Sequence, residues 1–309
     1  MARADGAAPP LPAAAAGPLL PALALVLNGF VWGVSWWPFR QLQAAGLHPL
    51  LATALVYVLS VLVLLALRPG AWRALFAQPA VWVLAAAAGM TNVGFNWAVT
   101  VGDVVRVVLL FYLMPAWTAL LAWLLLGEKP TLVSLLRMLL AMAGVAVVLK
   151  TPGTPWPVPE TLADWLALAG GLSFALNNIM LRKLQYVPAE SRVLAMFVGG
   201  ALLAGAAAAL GLQLGFVAAP EAIRSSWWPG LALSLGFLAS NVALQYGASR
   251  LSAHTTALIM LSEVVFASLS SVALGAAELT QHVVGGGVLI LAAAAWSAWP
   301  DRDPRPEVA

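Results

Sequence analysis

The residues of this sequence best suited to chemistry are polar groups set singly or in pairs inside long apolar runs. Glu263 stands near the middle of the run 252–274. A carboxylate at that depth in a bilayer is costly unless it faces a cavity, pairs or takes a proton. It reads either as a protonatable coupling group or ligand-amine partner, or as a neutral acid bonded between helices. Asn92 and Asn96 are four residues apart, on one helical face, and Asn241 and Gln245 repeat that spacing. A carboxamide both donates and accepts. Two such faces brought opposite each other would read a polar or zwitterionic solute; the alternative is glue between helices. Asn177 and Asn178 are adjacent, so at most one of them faces a given cavity squarely.

Aromatic side chains accompany these groups. Trp32 and Trp36 share a face by their spacing, and Tyr112 and Phe174 also lie deep within apolar runs. Such rings stack on a flat solute, hold a cation by cation–π attraction, or simply pack. Trp72, Trp82, Trp156, Trp227, Trp228, Trp296 and Trp299 sit near run ends and read as interface anchors. Pro115 interrupts the run 104–126 and removes one backbone hydrogen bond; it reads either as a bending point whose freed carbonyl faces the cavity, or as a static kink re-satisfied by neighbours. Asp103 and Arg106 have the spacing of a local ion pair, or of an outer gate or carboxylate anchor. Arg137 reads as structural, snorkelling to a surface, and His254 as a residue at a run's start with a proton-relay alternative.

These residues need elements to hold them, and the composition says which. The chain is 62% hydrophobic and 9% charged over 309 residues, and its mean hydropathy is +0.92. A soluble domain carries about 25% charged residues. Breaks rich in charge, Pro or Gly divide the chain into ten apolar runs near 19–39, 49–67, 79–101, 104–126, 131–149, 161–181, 192–212, 228–248, 252–274 and 281–299. Each approaches the roughly 20 residues of a spanning helix. Residues 1–17 read as a disordered N-terminus, 151–160 as a linker and 300–309 as a tail. There is no cysteine, hence no disulfide and no thiol-ligated metal, and no residue set asks for a cofactor. The net charge of +3 is scattered over short loops and is no signal for nucleic acid.

The chain also repeats itself. Thr91-Asn92-Val93-Gly94-Phe95-Asn96-Trp97 returns as Ser240-Asn241-Val242-Ala243-Leu244-Gln245-Tyr246, an offset of 241 − 92 = 149. Leu113-Met114-Pro115 returns as Leu261-Ser262-Glu263, an offset of 263 − 115 = 148. Trp32-Gly33-Val34-Ser35-Trp36 is echoed by Phe174-Ala175-Leu176-Asn177-Asn178, with Arg40 facing Arg182, an offset of 182 − 40 = 142. The expected organisation is therefore two five-helix repeats, 18–150 and 161–299. Lys and Arg set the orientation. Arg3, Arg68, Arg73, Lys129, Arg182, Lys183, Arg192, Arg250, Arg302 and Arg305 fall on one side, and Arg40, Lys150 and Arg224 on the other. That places both termini in the cytoplasm. An odd number of spans per half turns a direct repeat in sequence into an inverted one in the membrane, the mark of a transporter with its site at the repeat interface.

Trp32-Gly33-Val34-Ser35, Leu113-Met114-Pro115, Leu126-Gly127-Glu128, the Gly144 region and Ser262-Glu263-Val264 resemble the drug/metabolite transporter superfamily, in particular its EamA-type ten-helix members. The likeness covers roughly 20–299. It implies an all-α integral membrane protein, ten transmembrane helices in two inverted five-helix repeats around a central cavity, in a bacterial-type inner membrane. It also implies export of metabolites, amino acids or drugs. Ala276 departs from the pattern opposite Glu128, and Ser262-Glu263 stands where the family often has Glu-Pro. The expected function is a secondary transporter moving amino acids or related metabolites by alternating access, with protons as a coupling partner if Glu263 faces the cavity. There is no phosphate-binding GxxxxGK[ST] loop. The expected substrate-binding set is Trp32, Trp36, Asn92, Asn96, Tyr112, Pro115, Phe174, Asn177, Asn178, Asn241, Gln245 and Glu263. The alternatives are an integral-membrane enzyme acting on lipid-linked substrates, and a channel or receptor. The first wants a cluster of acids and histidines that the sequence lacks, and the second a continuous polar lining.

Overall fold

Helix α1 (Leu19–Val34) points Leu20, Leu23, Leu27 and Phe30 outward and buries Leu25, Asn28, Gly29 and Gly33. With polar and small residues inside and bulky apolar ones outside, it is the reverse of a soluble helix, as a lipid surround requires. The computed structural model describes residues 19–127, 131–150, 158–220, 227–248, 250–251, 259–260 and 262–298. The expected N-terminus 1–17, most of the linker, the tail 300–309, and Glu128, Lys129 and His254 lie outside the described residues.

Every expected run carries helix. After α1 come α2 (Trp36–Ala44), α3 (Pro49–Leu67), the short α4 (Arg73–Ala77), α5 (Ala80–Val101), α6 (Val104–Phe111), α7 (Met114–Leu126) and α8 (Leu132–Leu149). The second part of the chain gives α9 (Leu162–Lys183), α10 (Ala189–Leu214), α11 (Trp227–Ala248), α12 (Ser262–Ala273) and α13 (Gln281–Ala298). Among the described residues the structure is all-helical. Four stretches, Leu19–Ala44, Pro49–Leu67, Val104–Leu125 and Ala189–Leu214, are long and apolar enough to cross a membrane by length and composition alone.

Two breaks matter for the site. At Ser35 the hydroxyl donates back to the Trp32 carbonyl at 2.8 Å, and a turn separates α1 from α2. At Tyr112–Leu113 a turn separates α6 from α7, whose first turn holds Pro115. Proline at that position takes the hydrogen bond away from the carbonyl four residues back, that of Phe111. The expectation that this carbonyl faces a cavity is corrected. It lies against Gly171 of α9, where a Cβ would stand 2.7 Å from the oxygen. Only glycine lets α9 cross there.

Packing couples the two parts of the chain closely. α1 lies on α11 and α12, and α9 lies on α5 and on the broken rod α6–α7. α3 packs on α10 and α11, α5 on α10, and α8 on α13, while α6 meets α12. The α8–α13 crossing is a glycine pair. A Cβ on Gly144 would stand 2.8 Å from the Gly286 carbonyl oxygen, and one on Gly286 would stand 2.6 Å from that of Gly144. The largest apolar core cluster gathers Trp36, Phe95, Phe111, Tyr112 and their neighbours where α5, α6, α9 and α12 come together.

Candidate functional site

Glu263 enters the bundle from the first turn of α12 and is buried. The backbone there runs close against α1, because Gly29 and Gly33 carry no side chain. A Cβ on Gly33 would meet the Glu263 carbonyl oxygen at 2.7 Å. Tyr112, at the break of the fourth run, turns its phenol to the same place. Its hydroxyl lies 3.1 Å from Glu263 Oε2 and 3.0 Å from the Met260 carbonyl oxygen. One phenolic hydrogen thus serves two acceptors, and the buried carboxyl group takes one side-chain hydrogen bond among the described residues. Such a pair can hold, accept or release a proton.

The aromatic residues form a row through the centre. Tyr57, Phe237, Trp32, Phe95, Phe111 and Phe174 follow one another with ring centroids 5.7, 4.4, 6.0, 4.9 and 5.5 Å apart. They come from α3, α11, α1, α5, α6 and α9. Trp32 stacks on Phe237 and presents an edge to Phe95. One turn further on, Trp36 is buried in the core cluster that Trp32 borders, and it donates its Nε1–H to Ser270 Oγ at 3.0 Å with Arg40 over its ring.

The amides behave differently from one another. Asn92 accepts from the Tyr57 hydroxyl at 2.6 Å and donates to the Ala88 carbonyl at 2.8 Å, so it ties α5 to α3. Asn96 is fully buried. Its Nδ2 is 3.4 Å from Thr53 Oγ1, and its Oδ1 has no partner among the described residues. Asn177 is likewise buried with an unpartnered Oδ1, and Asn178 is half-buried. Asn241 donates to the Phe237 carbonyl within its own helix at 2.9 Å, while Gln245 is exposed. No described hydrogen bond joins Asn92 or Asn96 to Asn241 or Gln245. The two amide faces expected to meet are engaged separately, because the Asn92–Asn96 face looks onto α3. Pro115 is placed by its backbone in the first turn of α7.

At one end of the bundle the expected Asp103–Arg106 ion pair is replaced by a better arrangement. Asp103 caps α6, its carboxylate accepting from the Arg106 backbone N–H at 2.8 Å. The Arg106 guanidinium crosses to α9 and grips Asp164 with both prongs, Nε to Oδ1 at 2.8 Å and Nη2 to Oδ2 at 3.0 Å. Nη1 donates to the Val148 carbonyl at 2.6 Å. Above it opens a cleft of about 670 Å³ lined by Asp103, Arg106, Lys150, Glu278, Gln281 and His282, among others. Arg137 lies over the Trp296 ring, 5.6 Å from its centroid.

Sequence reasoning passed over Asn28, which donates to Ser240 Oγ at 2.5 Å and to the Ser240 carbonyl at 3.0 Å. It also passed over Tyr57, Phe95, Phe111, Phe237 and Asp164. Signals existed for two of them. Asn28 stands four residues before Trp32, and Thr161 with Asp164 has the spacing of a capping box, which the structure contains.

No curated protein matches the chain. A solved crystal structure of a protein aligns over 89% of this chain and 96% of its own, with a TM-score of 0.56 and 20% identity, a likeness of fold alone. The model of the EamA-like transporter family matches residues 19–150. Over that stretch, with its inside-out helices and its broken fourth run, the chain matches the EamA-like transporter family, part of the drug/metabolite transporter superfamily.

Proposed function

We propose that the protein is a proton-coupled exporter of amino acids or related metabolites, aromatic ones included, working by alternating access in the inner membrane with both termini cytoplasmic. Its working parts are two inverted five-helix repeats, 18–150 and 161–299, around a central cavity. The observation that carries this reading is the way helices choose neighbours. If α1 is exchanged with α9, α3 with α10, α5 with α11, α6–α7 with α12, and α8 with α13, the most extensive pairings map onto one another. The pair α1–α11 becomes α9–α5, α1–α12 becomes α9 with α6–α7, and α3–α11 becomes α10–α5, while α3–α10, α6–α12 and α8–α13 return to themselves. A two-fold exchange of this kind is what inverted repeats produce. The glycine crossing obeys it as well, since 286 − 144 = 142, the offset of the first-run echo.

The aromatic row supplies flat apolar surface for a solute, Asn96 and Asn177 supply unused acceptors, and Glu263 with Tyr112 is the coupling pair. The test is uptake of labelled amino acids into proteoliposomes, with and without an imposed pH gradient, by the parent protein and Glu263→Gln. Flux driven by the gradient, with that dependence lost in the variant, is the expected result. Flux indifferent to both gradient and variant overturns proton coupling, and absence of flux for every amino acid overturns the substrate class.

A further inference from the structure

We propose that the connection between α3 and α5 is a binding site for an anionic phospholipid, whose phosphate Arg68 and Arg73 hold while Trp72 and Phe76 enter the headgroup layer. The stretch is short and firmly shaped. The backbone N–H groups of Ala71, Arg73 and Leu75 donate to the carbonyls of Arg68, Gly70 and Trp72 at 3.1, 3.2 and 3.1 Å, so tight turns lead into α4. One side of it is fastened to the protein. Ala71 and Leu75 are buried in an apolar cluster with Leu84 of α5, Leu194 of α10, and Leu184 and Val187 between α9 and α10. Trp82 of α5 donates its Nε1–H to the Leu75 carbonyl at 2.8 Å. The other side faces away from the protein. Phe76 is 76% exposed and Trp72 49%, and the two rings meet edge to face with centroids 6.0 Å apart. Arg68 and Arg73 are exposed beside them.

Position and charge select the occupant. Arg68 follows directly on Leu67, the last residue of the apolar stretch Pro49–Leu67 that is long enough to cross a membrane. The connection therefore lies where hydrocarbon gives way to water. At that depth an indole is favoured for its amphipathic ring. An arginine there lays its apolar stem along the lipid chains and keeps its guanidinium among the phosphates, which it binds through two parallel N–H bonds. A free phosphate ion would neutralise the arginines and leave both rings bare, whereas a phospholipid covers rings and charges together. The local charge favours a net-negative headgroup over a zwitterionic one. No Asp or Glu occurs between Asp5 and Asp103 in the sequence. The α9–α10 link, which shares the apolar cluster, is flanked by Arg182, Lys183 and Arg192 against the single acid Glu190.

The chain has no cysteine, so a single reporter can be placed cleanly. Ala77→Cys, at the exposed last residue of α4, carries a bimane label. Leu214→Cys, at the exposed end of α10, carries the same label as a reference. The full chain is reconstituted in bilayers containing either phosphatidylglycerol or phosphatidylcholine brominated on the upper part of the acyl chains, and quenching by the two lipids is compared. Brominated phosphatidylglycerol is expected to quench Ala77→Cys about fivefold more effectively than the choline lipid, the enrichment that one surface cation gives, while Leu214→Cys shows no preference. Arg68→Gln combined with Arg73→Gln is expected to abolish the preference at Ala77→Cys and to leave the quenching of Leu214→Cys where it was. The preference of the parent tests the lipid class without any variant. The site is overturned if the parent shows no preference, or if the double glutamine variant keeps it. It is equally overturned if neither lipid quenches Ala77→Cys, the result expected of a stretch that stands in water and awaits a soluble partner.

Discussion

The α8–α13 crossing makes a quantitative demand. Gly144 and Gly286 bring backbone against backbone, and a Cβ at Gly144 would stand 2.8 Å from the Gly286 carbonyl oxygen, against an ordinary contact of 3.4 Å or more. Gly144→Ala therefore pushes the helices apart by about 0.6 Å, the difference of those two distances. A gap of roughly 0.5–1 Å forfeits about a quarter to a half of the dispersion energy between facing atoms. With the usual cost of overpacking, the loss comes to about 1–3 kcal/mol. Gly286→Ala meets the Gly144 carbonyl in return and should cost a similar amount. The two methyl groups act on one crossing, so the first opens room for the second. The double variant should then cost less than the sum of the singles by at least about 0.5 kcal/mol. The assay is reversible unfolding in detergent, followed by far-UV circular dichroism, for the parent, both singles and the double. A neutral single, or a double that equals the sum, would refute direct backbone contact.

Tyr57→Phe removes the donor to Asn92 and leaves a buried amide oxygen unmatched. It should destabilise by about 1–2 kcal/mol in the same unfolding assay, and parent-like stability would show that the amide finds another donor. Trp32→Ala empties the middle of the aromatic row, and its cost of about 3–5 kcal/mol should largely vanish in Trp32→Phe, as judged by thermal midpoints; equal losses for both would mean that the indole is held by something other than stacking. His48 lies between α2 and α3 and caps α3 by accepting the Leu50 N–H on Nδ1 at 3.3 Å. Burial lowers its pKa below the ordinary 6.5. The neutral form is favoured by folding, so its contribution is present in full above that ordinary value and is lost as pH falls through it toward the folded one. Stability of the parent should thus decline faster than that of His48→Gln below about pH 6.5, and identical profiles would remove His48 from the account.

Helix positions were legible because apolar runs of membrane length are bounded by charge, proline and glycine, which end helices for local reasons. Neighbours were not. The spacing of Asn92 and Asn96 correctly puts them on one face, but nothing local says that α3 rather than α11 covers that face. The Trp32–Trp36 spacing put both rings at one core, but their separate partners, Phe237 and Phe95 for the first and Ser270 for the second, are set by how α11, α5 and α12 pack. Asp164 was invisible as a partner because its mate lies 58 residues earlier, whereas Asp103 stood in the nearer position and carried the same charge. Glu263 was legible as an isolated acid, but its phenol partner depends on how the break at Tyr112 aims the ring.

The 58 residues between Arg106 and Asp164 also set an order of assembly. At about 5–20 residues per second, synthesis of that stretch takes roughly 3–12 s. For that interval the guanidinium waits at the membrane surface without the carboxylate it will grip. The first half released on its own would keep a cation at its seam that the pair would otherwise neutralise, and a groove on α6 that α9 would otherwise fill. The ion pair is thus a timestamp of synthesis: it can form only once α9 has been made, and it ties the family-matched stretch to the helices that follow it.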